Sequence, residues 1–277
     1  MAQADFHSLS WLHYEYLQQG RFAKAREVEE TVRKALASAP GREAEQDRTG
    51  PAKAGHYRNF RRFPVVSGFS RTVTPAVSGF GRTVVPVVSG FSRTAQSDSH
   101  QHVESEIGRG FSTTSLKSEL GSMRARRVVE SGSWAEMKGQ ASFENIDELF
   151  ALGMASVKLG DRARAEAALQ HLGTASQTVP DSDAREIASI MRAELDGLMR
   201  IAASDGQGGL AALARAAGLE AKRPKPIARP YPIKPAGELY AEALLGADAI
   251  AAVTEFQKAL ARTPRRAGSL LGLARAE

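Results

Sequence analysis

Asp98, His100, His102, Glu104 and Glu106 alternate along one short segment, and carboxylate and imidazole donors of that kind can bind a divalent cation. Ligands at i and i+2 in a polar segment fix no tetrahedral geometry and bring no supporting hydrogen bonds, so the segment reads as a solvated loop. Gly108-Arg109-Gly110-Phe111-Ser112-Thr113-Thr114 has the glycines and hydroxyls of a phosphate loop. It lacks both the lysine after the second glycine and a preceding strand. Two SGFSRT units and one SGFGRT unit lack the trailing glycine of a nucleophile elbow, although their interleaved Phe and Arg are residue types that contact single-stranded RNA. His13 and His171 fall inside helical patterns and read as partly buried polar or surface positions. With no cysteine, thiolate zinc sites and iron–sulfur clusters are excluded. No catalytic, cofactor or metal site is expected, and the chain reads as a non-enzyme.

The residues around these motifs decide what could position them. In a chain of 277 residues, 42% are hydrophobic and 25% charged, normal for a globular protein with a core. Aromatics are only 6% while alanine is abundant, which favours close-packed helices. The net charge of +6 is concentrated in the middle of the chain, where no acid occurs between Asp47 and Asp98. The helical parts are nearly neutral, so a folded basic groove for nucleic acid is not indicated. The first residues, MAQADFHSLSW, show no secretory signal, and no apolar run reaches the roughly 18 to 20 residues of a membrane span. A cytoplasmic location without membrane partners is the expectation.

Three stretches follow, with boundaries at 1–40, 41–117 and 118–277. In the first, Leu9, Leu12, Tyr16 and Leu17 share a helical face, Gly20 suits a helix end, and Phe22, Ala25, Val28 and Val32 form the returning stripe. The second is a low-complexity basic insertion with an eleven-residue tandem repeat: prolines at 64, 75 and 86, phenylalanines at 69, 80 and 91. Each unit holds a Pro and a Ser-Gly pair that break helices, so disorder is expected there. The third is helical again, with Leu149, Leu152 and Leu159 before a Gly160-Asp161 turn and Ala165, Ala168 and Leu172 after it. A long helix over 182–203 is expected to be capped by Ser182 or Asp183. The segment 223–235 has five prolines and is expected to be an extended connector. Glu27, Glu29 and Glu30, and Arg124, Arg126 and Arg127, read as solvated helix faces. Trp11 and Trp134 read as packing residues between helices.

The pattern resembles the tetratricopeptide repeat family. Leu239, Tyr240, Ala243, Ala252, Phe256, Ala259 and Pro264 fall at that family's large, small and closing positions, as do Leu12, Tyr16, Gly20 and Ala25. Leu149, Leu152, Gly153, Gly160, Ala165 and Leu172 do so again. More closely, the chain is similar to the C-terminal part of longer bacterial repeat proteins. The resemblance implies an all-α fold, an α-solenoid of stacked helical hairpins interrupted by the insertion. It also implies a scaffold or adaptor that binds a protein or peptide along its concave surface. The family's carboxylate clamp of Lys, Asn and Arg is not expected, because the matching positions hold Tyr14, Met154 and Ala241, and the two asparagines, Asn59 and Asn145, lie elsewhere. The alternative reading is a regulatory or nucleic-acid-associated factor acting through the basic insertion.

Overall fold

The computed structural model describes residues 6–38, 113–140, 143–226 and 229–277, and every regular element among them is helical. The elements are α1 (Phe6–Gln18), α2 (Phe22–Ser38), α3 (Thr113–Ser131), a 3-10 turn (Trp134–Met137), α4 (Ile146–Lys158) and α5 (Arg162–Thr178). They continue with α6 (Ser182–Ala202), α7 (Gly206–Ala221), α8 (Ala236–Leu244), α9 (Ala249–Arg262) and α10 (Ala267–Ala276). The tandem repeat, Asn59, the Asp98–Glu106 cluster and Gly108–Ser112 lie outside the described residues. Thr113 and Thr114, read as part of a loop, instead open α3, which therefore starts inside the boundary drawn at residue 117.

Local chemistry sets the turns. Gly20 and Gly160 take φ of 68° and 77°, a left-handed backbone that glycine adopts without steric cost. Five of the helices, α4, α5, α6, α7 and α9, begin with an acceptor side chain. Asn145, Asp161, Asp181, Asp205 and Asp248 each accept a hydrogen bond from the backbone N–H three residues on. The cap of α6 is thus Asp181 rather than Ser182 or Asp183, because Asp181 keeps the extended backbone that a cap requires.

Consecutive helices pack as pairs: α1 with α2, α4 with α5, α6 with α7, and α8 with α9. The 3-10 turn takes the place of a second helix after α3. Helices α1, α3, α4, α6, α8 and α10 form one layer, each touching the next member, and α2, α5, α7 and α9 back them. The main core runs through α3 to α6 and includes Phe150, Leu172, Ile187, Met191 and Leu195. Where elements cross most closely, a side chain is missing. A Cβ on Gly153 would lie 2.5 Å from a Leu195 methyl, and one on Gly209 would lie 2.8 Å from the Gly197 carbonyl oxygen.

The two ends of this array meet. The Gln18 side-chain oxygen accepts a hydrogen bond from the Ala267 N–H at 3.0 Å. Arg266, which precedes α10, pairs with Glu130 of α3 at 2.8 Å. In an open row of repeats each unit touches only its neighbours, so this junction was not expected from the spacing.

Candidate interaction surface

The buried face of α1 is Ser10, His13 and Leu17, while Leu12 is 41% exposed. Of the face expected from Leu9, Leu12, Tyr16 and Leu17, Leu17 is buried and Leu9 and Tyr16 pack half-buried against Val28 and Val32, while Leu12 turns out and Ser10 and His13 turn in to meet polar partners on other helices. His13 lies within 3.0 Å of Glu29 of α2, and Glu29 also accepts from Arg127 Nε at 2.7 Å. Arg127 reaches on to Glu136 of the 3-10 turn at 2.8 Å. Burial alone would raise the Glu29 carboxyl, but the His13 and Arg127 hydrogen bonds hold it below its usual range, so it is an ionised acceptor. His13 is driven down by burial and stays neutral, donating through Nε2. Glu29, Arg126 and Arg127, expected on solvated faces, are in fact buried. Each is next in sequence to a buried apolar residue, Val28, Ala125 or Val128, but neighbours one apart on a helix do not share a face, so no local signal of this was present in the sequence.

A second charged centre joins α3, α8 and α10. The Glu238 carboxylate of α8 accepts from Arg266 Nε at 2.7 Å, Lys234 Nζ at 2.8 Å and Ser269 Oγ at 2.5 Å. Lys234 also donates to Glu242 at 2.6 Å. Burial acts to raise Glu238, yet Lys234 and Arg266 outweigh it and hold the carboxyl well below the usual range. Glu194 of α6 is the counterexample beside it. It is fully buried, and neither carboxyl oxygen has a hydrogen-bond partner among the described residues. Burial, then the neighbouring Glu220 charge, push it well above the normal carboxylate range, so it keeps its proton in the folded state.

That raised value has a signed consequence. Above the unfolded-state value of 4.5, the unfolded chain releases the Glu194 proton while the folded chain retains it, so this residue makes stability fall as pH rises. E194Q removes the titration at nearly constant shape. Urea denaturation should therefore show the variant gaining on the unaltered chain as the pH rises above 4.5, with equal pH slopes contradicting the assignment.

The connector between α7 and α8 runs through these groups. Arg223 pairs with Asp183 and, at 2.7 Å, with Glu186, both on α6. Lys225 donates to the Ala261 carbonyl oxygen at 3.0 Å. Arg229 reaches Ser10 of α1 and Glu119 of α3, the latter at 3.0 Å. Arg126 donates to the Pro230 carbonyl oxygen at 3.0 Å, and Tyr231 hydrogen-bonds Asp147 of α4. Ile233 is fully buried in the main core, and Lys234 completes the contacts on α8. This segment is thus held by side chains of α1, α3, α4, α6 and α8 from one layer and by Arg262 of the backing helix α9, which donates to the Arg223 and Pro224 carbonyl oxygens at 2.9 and 3.0 Å. Its proline content indicated an extended backbone; that Pro230 and Pro232 to Pro235 are buried was not legible.

The other repeat positions are placed as follows. Ala25, Leu149, Leu152, Ala165, Leu239, Ala252, Phe256 and Ala259 are buried, Tyr16 is half-buried, and Pro264 is exposed just after α9. Trp134 packs half-buried against the main core, while Trp11 donates to His7 at 3.1 Å on an exposed face. His171 is half-buried and makes an edge contact with Phe143. Among the described residues no helix is long and apolar enough to cross a membrane, and no group of three His, Asp or Glu is arranged to hold a metal. Comparison of the chain with protein-family models, curated proteins and solved structures returned no match.

Proposed function

We propose that this chain is a non-enzymatic scaffold, a tetratricopeptide-like solenoid whose ends close on each other and whose α1–α3–α4–α6–α8 layer engages a protein or peptide partner in the cytoplasm. The observation that supports this reading is the chain's own connector, whose residues 223–226 and 229–235 meet side chains of five helices of one layer and of the backing helix α9. Side chains spread over successive helices suit recognition of an extended peptide, because each helix contributes one contact at a fixed step. Affinity purification with the full chain, followed by calorimetric titration of the recovered protein against the purified chain, tests it. Stoichiometric binding is the expected result, and no partner that binds the purified chain directly would reject the reading.

A further inference from the structure

The seat of α1 rests on one buried ring as much as on apolar contact. Leu9 and Tyr16 pack against Val28, Val32 and Met123, while His13, in the middle of the helix, is fully enclosed. Its Nε2 lies 3.0 Å from Glu29 Oε1, an oxygen that already accepts from Arg127 Nε at 2.7 Å. Its Nδ1 is buried with no hydrogen-bond partner among the described residues. A neutral ring with its proton on Nε2 leaves one lone pair unused there. A second proton would instead leave an N–H with no acceptor and set a positive charge beside two guanidinium groups. The charged groups that face the ring are Glu29 from α2 and Arg126 and Arg127 from α3. Burial, first of all, and the two arginines disfavour the imidazolium, against the pull of Glu29.

We propose that His13 is an acid-operated catch on α1, holding the helix against α2 and α3 while its ring is neutral and releasing it when the ring takes a second proton. Release breaks the Gln18–Ala267 hydrogen bond between the ends of the array, frees Ser10 from Arg229 and Glu119, and uncovers Val28, Val32 and Met123. The rest stays folded, since among the described residues none of α1 or α2 belongs to the main core. In the detached helix the ring is in water and titrates near 6.5, whereas burial depresses it in the seated one, so detachment takes up a proton. The seat is therefore firm above pH 6.5 and weakens as the pH falls below it. Glu194 works in the opposite direction, and His171, also lowered by burial, sits on α5, so neither produces an acid response in α1.

Hydrogen–deuterium exchange of the full-length chain, read by mass spectrometry at about pH 7.5 and about pH 5.5 and corrected for the intrinsic effect of pH on exchange, tests this. The opening constant of α1 should be about tenfold larger at the lower pH, the factor that one pH unit below 6.5 allows, while α4 and α6 do not loosen. In H13Q, whose amide keeps a donor for Glu29 but does not titrate, the α1 constant should be the same under both conditions. H13N carries the same comparison if H13Q does not fold. No acid response of α1 in the unaltered chain, the same response in H13Q, which retains His7, or equal loosening of every helix overturns the proposal.

Discussion

E238Q is expected to lower the unfolding free energy by about 3–5 kcal/mol, the usual cost of leaving buried charges without their counter-ion. Lys234 and Arg266 both converge on this carboxylate, and with its charge removed each is left with one further acid, Glu242 and Glu130, while Arg266, only 1% exposed, cannot turn to water. E242Q is the control. Glu242 shares Lys234, but its side chain is 37% exposed, and the change should cost about 0–1 kcal/mol. Urea titrations at pH 7 with unchanged slopes make the comparison, and equal losses for the two variants would contradict a buried charge centre. The sign with pH is opposite to that of Glu194. A carboxyl held below 4.5 contributes stability that is present above that value and lost as the pH falls beneath it, so the gap between E238Q and the unaltered chain should narrow in acid.

F256A should cost about 3–5 kcal/mol as well, for a different reason. Phe256 of α9 is fully buried, and its ring fills the place where a Cβ on Gly272 of α10 would stand, 2.1 Å from Cζ. Truncation empties a site whose walls are two helices meeting at a glycine, and the backbone there has no side chain with which to refill it. A thermal melt should fall by roughly 10 °C. Leu270 on the same α10 is 49% exposed, and L270A should change stability by no more than about 0.5 kcal/mol. A similar small shift for F256A would mean that α10 does not pack as described.

The helices and their turns were legible because their causes are local. Apolar spacing marks α4 to α9, left-handed glycines mark two turns, and aspartates mark the helix starts. Burial at Ala25, Leu152, Ala165 and Phe256 follows from the same periodicity. The polar interior was not legible, because its causes are distant in sequence. Ser10 turns inward for Arg229, which lies 219 residues away, and His13 turns inward for a glutamate on the next helix. A hydrophobic stripe ranks Leu12 above both, and the structure reverses that order because paired charges and hydrogen bonds offset their own desolvation. Arg126 and Arg127 read as solvent-facing for the same reason: the sequence around them does not contain Glu29 or Pro230.

The Gln18–Ala267 junction and the Arg266–Glu130 pair change how such a molecule can come apart. A linear stack frays from its terminal units, each peeling with its own midpoint. Here a hydrogen bond ties the end of α1 to the start of α10, and an ion pair ties Arg266 to α3, so the terminal helices are linked to each other as well as to their neighbours in the row. Slow amide exchange in α1 and α10 should therefore rise and fall together, and substitutions at Arg266 or Gln18 should uncouple them.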